Sequence, residues 1–254
     1  GPPVAPDTIR RALEAGEFEL HYQPKVNMRT GQLVGVEALI RWRHPGQGLL
    51  LPAAFMPALS GHALGNELGE WTLGTAMARI QAWKAAGLQI AVSVNISAEQ
   101  IQRPDFVARL RALFALHPDV GAGDLELEVL ETSSLEDIPK VAQVMQACRD
   151  MGVGLALDDF GTGYSSLTYL RRLPTSLLKI DRSFVHDMLD DPEDLTILHG
   201  VIGLAAAFGK DVLAEGVETL SHGHHRAGAF AGAARDRRRR GDAAPDGGAA
   251  PPGL

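Results

Sequence analysis

The chain runs repeatedly from a short apolar segment into a polar, mostly acidic residue, and helical patterns fill the intervals between these segments. The segments that end in this way lead into Glu37, Asn95, Glu128, Asp158-Asp159, Lys179 and Glu215. Strands that alternate with helices are typical of parallel βα units. In a βα barrel the carboxyl ends of the strands meet on one face, where catalytic residues are found. The pattern therefore predicts an α/β fold that gathers these polar side chains at one end of a sheet.

The apolar pattern predicts seven strands, one fewer than a closed eight-stranded barrel. They span residues 19–26, 33–40, 89–96, 124–130, 152–157, 176–180 and 210–214, and helical patterns include 68–86, 105–115, 140–151 and 195–208. A short polar turn at 28–32 joins the first two strands, which is typical of a hairpin. We therefore expect a TIM-like (β/α)8 barrel with an antiparallel first strand, lacking the eighth strand and the last helix.

Composition changes along the chain and predicts three regions. Residues 1–16 form a lead-in, residues 17–220 form the globular domain, and residues 221–254 form a tail of Ala, Gly, Arg and Pro. The tail is expected to be disordered because it cannot bury enough apolar surface to offset its ordering entropy. Its histidines at 222, 224 and 225 and its arginines at 235 and 237–240 are interpreted as incidental and solvated, rather than as a metal site or an anion-binding patch.

The overall charge and the cysteine content narrow the function classes. A net charge of −7 argues against a surface that binds nucleic-acid polymers, which rely on Lys and Arg for affinity. Cys148 is the single cysteine, so no intramolecular disulfide can form, and a cytoplasmic location is expected. No apolar run approaches the roughly 20 residues that span a bilayer. The chain begins at Gly1 without a methionine, so we expect it to be a piece of a larger protein.

The converging carboxylates predict a metal centre. An acidic residue at one strand end is usually a helix cap or a solvated loop residue, but that interpretation does not explain six strand ends in succession. Mg²⁺ and Mn²⁺ prefer carboxylate, amide and water oxygens, and the adjacent pair Asp158-Asp159 would allow two ions to share a ligand. Two such ions stabilise the attacking and leaving oxygens of a displacement at phosphorus. Lys179 would orient the attacking water or neutralise developing charge. The glycines that follow Asp159 predict a mobile loop over the site, although a plain Gly-rich loop is the alternative.

Ordered sequence blocks make the chain similar to the EAL-domain phosphodiesterases. The blocks are His21-Tyr22-Gln23-Pro24, Glu37-Ala38-Leu39-Ile40-Arg41-Trp42, Arg43-His44-Pro45, Asn95-Ile96-Ser97, Glu128-Val129-Leu130-Glu131, Asp158-Asp159-Phe160-Gly161-Thr162-Gly163, Leu178-Lys179-Ile180-Asp181 and Glu215-Gly216-Val217-Glu218-Thr219. They cover roughly residues 17–220. The resemblance implies hydrolysis of one phosphodiester bond in cyclic diguanylate (c-di-GMP) to give the linear dinucleotide pGpG, in bacterial second-messenger signalling.

The resemblance also implies roles for particular residues. Glu37, Asn95, Glu128 and Asp158 resemble the ligands of one metal ion, and Asp158, Asp159 and Glu215 those of a second. Lys179, with Glu37 and Glu215, would be catalytic, and Gln23, Leu39 and Arg41 would hold the substrate. Glu131 resembles the glutamate that steadies the loop after Asp159, a loop that also contributes to homodimers in the family.

The chain departs from the family pattern after about residue 220, where the last helices and the eighth strand are not recognisable. An altered reading frame would give such a tail, and we expect an unstable domain of reduced activity. Two alternatives to an active phosphodiesterase therefore remain. One is a module that binds c-di-GMP without cleaving it, and the other is an inactive product.

Overall fold

The computed structural model describes residues 4–26, 33–130, 138–160, 171–180, 200 and 203–214. Its helices are α1 (Pro6–Glu14), α2 (Ala63–Ala85), α3 (Ala98–Ile101), α4 (Phe106–Leu116) and α5 (Ile138–Asp150). Its strands are β1 (Phe18–Val26), β2 (Leu33–His44), β3 (Gly48–Leu50), β4 (Val92–Ile96), β5 (Leu125–Leu130), β6 (Gly154–Phe160), β7 (Leu177–Ile180) and β8 (Asp211–Ala214). Three short 3₁₀ segments lie at Pro52–Ala54, Met56–Leu59 and Ala122–Asp124.

The strands form one mixed sheet in the order β1-β2-β4-β5-β6-β7-β8, with β3 paired to the side of β2. β1 pairs antiparallel with β2, and every later neighbour along this path pairs in parallel. The seven predicted strands, the first hairpin and the α/β class are therefore confirmed. Residues 215–254 lie outside the described part of the chain, and with them the predicted tail and any closing strand.

Two strands extend beyond their predicted ends, and both contain their acidic residues instead of ending before them. β2 continues to His44 because Trp42 pairs with both Phe18 of β1 and Leu50 of β3. Glu37 lies in the middle of β2, as it does in the predicted range 33–40, which corrects the expectation that this strand ends at Glu37. It nevertheless lies near the end of the parallel ladder, because β2 pairs with β4 only over Val36–Ala38. β6 likewise includes Asp158 and Asp159 as strand residues.

The helices that pack on the parallel strands enclose the main core. Buried apolar residues of α2, α4 and α5 belong to one cluster with those of β4, β5 and β6; examples are Met77, Leu110, Met145, Val94, Leu127 and Leu155. α2 begins at Ala63, five residues before its predicted start, because the His62 side chain accepts a hydrogen bond from the Leu64 amide. Within the described ranges, no helix is long and apolar enough to cross a membrane.

A second apolar cluster joins the N-terminal residues to the first hairpin. Ile9 and Ala12 of α1 are buried with Phe18, Trp42 and Phe55, among others. The rings of Phe18 and Trp42 lie 5.5 Å apart, and the Trp42 indole donates a 2.8 Å hydrogen bond to Glu17. The predicted lead-in 1–16 therefore contains a helix that packs against β2, the strand that carries Glu37.

Candidate metal centre

Five polar side chains from five neighbouring strands meet at one end of the sheet. They are Glu37 of β2, Asn95 of β4, Glu128 of β5, Asp158 of β6 and Lys179 of β7. Asn95 lies directly beside Glu128 in the parallel register. The side chains of Glu128 and Lys179 are fully buried, and those of Glu37 and Asp158 are 14% and 11% exposed. The predicted convergence of these five residues is thus present in the structure.

The Lys179 ammonium lies among three carboxylates. Its Nζ donates to Glu128 Oε2 at 2.5 Å, and it lies 3.7 Å from Asp158 Oδ1 and 3.8 Å from Glu37 Oε2. On the far side, Asn95 Nδ2 donates to Glu37 Oε1 at 3.0 Å. Both oxygens of Glu37 therefore face a polar partner, which fixes the orientation of this carboxylate.

Burial and charge act on the cluster in opposite directions. Burial raises the pKa of Glu128 to about 7, although the nearby charge of Lys179 lowers it. Burial alone would lower the pKa of Lys179, but the charges of Glu128, Asp158 and Glu37 outweigh burial and raise it. A raised carboxyl pKa disfavours an ion pair and a raised ammonium pKa favours it. For this pair the raised pKa of Lys179 decides the outcome, because three carboxylates stabilise its ammonium at once. Lys179 and Glu128 therefore form an ion pair.

The residues of this cluster are suited to a divalent cation. One oxygen each from Glu37, Glu128 and Asp158 can lie within 4.8 Å of the others, close enough for one ion to bind all three. Three carboxylates and one ammonium leave two negative charges, which one divalent cation would neutralise. Carboxylate and amide oxygens are the ligands that hard cations prefer.

A lysine that the sequence analysis did not single out also contacts the cluster. Lys25 of β1 lies 3.5 Å from Glu128 Oε1 and 3.1 Å from Glu126 Oε1. The sequence does carry a signal for this position, because side chains two residues apart share a face of a strand. Lys25 follows Gln23 by two residues, and Glu126 precedes Glu128 by two.

A cavity of about 1140 Å³ opens beside the metal centre. Glu37, Asn95 and Asp158 line it where the acidic cluster lies, and Leu39 lines it further along β2. Segment 52–60, the first half of α2 and the segment around α3 form its other walls, with Lys140 of α5 also in the lining. The cavity is large enough for a ligand with several rings, such as a dinucleotide.

The other predicted site residues are placed differently. Gln23 is exposed and pairs across the hairpin with Glu37, whereas the Arg41 guanidinium donates to the Ile40 carbonyl at 2.9 Å. The backbone of Asp159 belongs to β6, but its side chain lies outside the described part of the structure. Glu131, Glu215 and the loop 161–170 also lie outside the described residues.

Comparison with protein families gives one match that covers most of the chain. Residues 7–221 match the family described as "EAL domain". The match includes all the residues of the candidate metal centre.

Two curated relatives come from Pseudomonas aeruginosa. The chain is 41% identical over 202 residues to a protein named cyclic di-GMP phosphodiesterase PA2567, covering 80% of this chain and 34% of that protein. It is 40% identical over 212 residues to the bifunctional diguanylate cyclase/cyclic di-GMP phosphodiesterase MucR, covering 83% and 31%. The chain therefore spans about a third of the length of these relatives.

Two solved structures have the same fold. The PaMucR phosphodiesterase in complex with c-di-GMP matches with a TM-score of 0.79 at 37% identity, covering 90% of this chain and 91% of that one. The EAL enzyme Bd1971 with bound cAMP and cyclic-di-GMP matches with a TM-score of 0.80 at 32% identity, covering 90% and 61%.

Proposed function

The chain belongs to the EAL-domain family, and from this premise we propose that it is a metal-dependent phosphodiesterase that hydrolyses c-di-GMP. Water would add across one P–O bond of the cyclic dinucleotide. The bond to the 3′ oxygen breaks, and the linear product pGpG carries a free 3′-hydroxyl and a 5′-phosphate.

The observation that carries this proposal is the group of three carboxylates around buried Lys179. Three carboxylates near one buried lysine are costly as a purely structural arrangement, because the carboxylates repel one another and lose hydration. The excess of negative charge is suited to a bound cation, and the adjoining cavity provides room for a nucleotide. The two relatives and the PaMucR structure associate c-di-GMP with chains similar to this one.

Each residue has a proposed role in this reaction. Glu37, Asn95, Glu128 and Asp158 would hold one ion, and Asp158, Asp159 and Glu215 a second, with Mg²⁺ or Mn²⁺ as the ions. When bound, such ions polarise the phosphate and lower the pKa of water. Lys179 would orient the attacking water, since its ammonium is held in place by three carboxylates.

Substrate binding is assigned to the start of the chain. Leu39 lines the cavity and would contact a base, and Gln23 and Arg41 would bind the polar parts of the nucleotide. In the structure Arg41 donates to a backbone carbonyl, so its contact with a phosphate oxygen would require its side chain to rotate.

The proposal extends to partners and location. We infer that the domain belongs to a larger sensory protein, as the greater length of both relatives suggests, and that nucleic-acid polymers are not its substrates. We further propose that the domain forms a homodimer through the loop after Asp159 and that it is located in the cytoplasm.

Hydrolysis of c-di-GMP by the purified chain, with Mg²⁺ and with Mn²⁺, tests the proposal. Glu37→Ala should abolish turnover, and Glu67→Ala, which removes an exposed glutamate paired with Arg10, should not. Nucleotide that binds and is released unchanged would instead indicate a c-di-GMP-binding module. If the chain neither cleaved nor bound c-di-GMP, that result would contradict both functions.

A further inference from the structure

We propose that Lys25 is a positioning residue, which holds the Glu128 carboxylate in the orientation that metal binding requires. The inference rests on the proposed function, because it assigns Glu128 to the metal centre. Lys25 would not touch the substrate and would act only through Glu128.

Two lysines contact the two oxygens of Glu128, one at each oxygen. Lys179 contacts Oε2 at 2.5 Å, and Lys25 contacts Oε1 at 3.5 Å. The Glu128 side chain is fully buried, so water does not replace either partner. A carboxylate with a charged partner at each oxygen cannot rotate about its last torsion without losing one of these contacts.

Lys25 is itself held by residues directly below the acidic cluster. Its Nζ donates to Ser93 Oγ and to Glu126 Oε1, and Ser93 Oγ donates to the same Glu126 oxygen at 2.9 Å. Ser93 and Glu126 are neighbours in the register of β4 and β5, two residues before Asn95 and Glu128. Because side chains two residues apart share one face, these residues form the layer beneath the metal centre.

The charge of Lys25 also affects the net charge around the metal centre. Glu126 and Glu128 lie on one face of β5 and would repel each other. Lys25 lies within 3.5 Å of both, and its single charge offsets that of Glu126. The cluster of Glu37, Glu128, Asp158 and Lys179 is thereby left with the two negative charges that suit one divalent cation.

The Lys25 side chain packs against the strand opposite it. Lys25 pairs across the hairpin with Gly35, and a Cβ at Gly35 would lie 3.7 Å from Lys25 Cε. The Lys25 side chain is 16% exposed, so most of its length is enclosed by protein. The protein around it therefore restricts the path that brings the ammonium to Glu128.

Direct measurement of Mn²⁺ affinity by calorimetry separates positioning from a merely structural ion pair. Lys25→Met should weaken Mn²⁺ binding by about ten- to a hundredfold, the usual effect of removing a group that orients a metal ligand. Lys25→Arg, which keeps the charge and the donors, should recover most of the affinity. The control is Lys84→Met, which breaks a partly buried ion pair with Asp124 outside the site and should leave Mn²⁺ affinity unchanged.

Mn²⁺ binding and c-di-GMP cleavage together distinguish a failure of the inference from a failure of the proposed function. The inference would be overturned if a folded Lys25→Met chain bound Mn²⁺ as tightly as the wild type. If the Met variant does not fold, Lys25→Gln takes its place in the same test. A wild-type chain that bound no Mn²⁺ would overturn the proposed metal-dependent function as well. If the wild-type chain bound Mn²⁺ without cleaving c-di-GMP, the proposed activity would be overturned. Weaker Mn²⁺ binding in Lys25→Met would still support the role of Lys25.

Discussion

Lys179 is the residue whose loss should disturb the metal-free site most. Its side chain is fully buried and lies within 3.8 Å of three carboxylates. Without its charge, Glu128 would remain buried beside Glu37 and Asp158 with little to offset their repulsion. Lys179→Met should lower the free energy of unfolding of the metal-free chain by about 3–5 kcal/mol, the usual effect of breaking a buried ion pair. Urea denaturation in the presence of a chelator measures this change.

An exposed ion pair provides the control for this prediction. Arg10 contacts Glu67 at 3.1 Å, and both side chains are more than 40% exposed. Arg10→Met should therefore leave the urea midpoint of unfolding nearly unchanged, because exposed ion pairs contribute little to stability. Equal effects of the two substitutions would show that the buried cluster contributes no more than a surface pair.

Cys148 offers a second test at the scale of one residue. Burial raises the pKa of its thiol to about 11, and the side chain is inaccessible in the main core. The thiolate is the reactive form, so at pH 8 only about one thiol in a thousand would be ionised in the folded chain. A thiol-specific reagent at pH 8 should modify Cys148 slowly in the native chain and rapidly in urea. Rapid modification of the native chain would contradict the burial of this residue.

The sequence predicted the members of the site better than their contacts. Glu37, Asn95, Glu128, Asp158 and Lys179 could be identified because each belongs to a different apolar segment of a parallel sheet. Lys25 was missed because it lies on β1, the antiparallel strand, which does not follow the pattern of polar strand ends. Its contact with Glu128 spans 103 positions of the chain, and only the tertiary register brings the two together.

At the scale of elements, Gly35 determines how closely β2 approaches β4. A Cβ at this position would lie 2.9 Å from the Ala91 carbonyl oxygen, which accepts a hydrogen bond from the Val36 amide. Gly35→Ala should therefore push β2 away from β4 and displace Glu37, two residues along the strand. We expect a loss of about 1–3 kcal/mol in the free energy of unfolding and weaker Mn²⁺ binding.

A second strand glycine makes a matched comparison. A Cβ at Gly154 of β6 would lie 3.4 Å from side-chain atoms of Glu126, an ordinary van der Waals distance. Gly154→Ala should retain Mn²⁺ binding and unfold at nearly the same urea concentration as the wild type. If Gly35→Ala behaved in the same way, the close approach of β2 to Ala91 would not matter for the site.

A buried lysine directly before β8 binds the segment that leads into β7. Lys210 donates to the carbonyls of Leu173 and Thr175 at 2.7 and 2.6 Å, in the segment that leads into β7. Without Lys210, these two buried carbonyls would lose the hydrogen bonds that its ammonium donates. Lys210 thus links β8 to the segment before the strand that carries Lys179.

At the scale of the whole molecule, the order of the strands was predictable and their ends were not. Alternation of apolar segments and helical patterns determined the order, because each βα unit is a local feature of the chain. The ends of β2 and β6 depend on pairing with other strands, since β3 extends β2 to His44 and β7 extends β6 to Phe160. The predicted absence of an eighth strand stays a prediction, since residues 215–254 lie outside the described structure.

The metal centre should also contribute to the stability of the whole domain. The proposed ligands of one ion come from four neighbouring strands, β2 and β4 to β6, so a bound ion would link elements from residue 37 to residue 158. An ion that binds only the folded chain raises the free energy of unfolding by about 2.7 kcal/mol at a hundred times its Kd. Urea denaturation with and without Mn²⁺ should show this increase in the wild type and not in Glu128→Gln. The same increase in both chains would mean that Mn²⁺ binds elsewhere, because the substitution removes a carboxylate from the centre of the cluster.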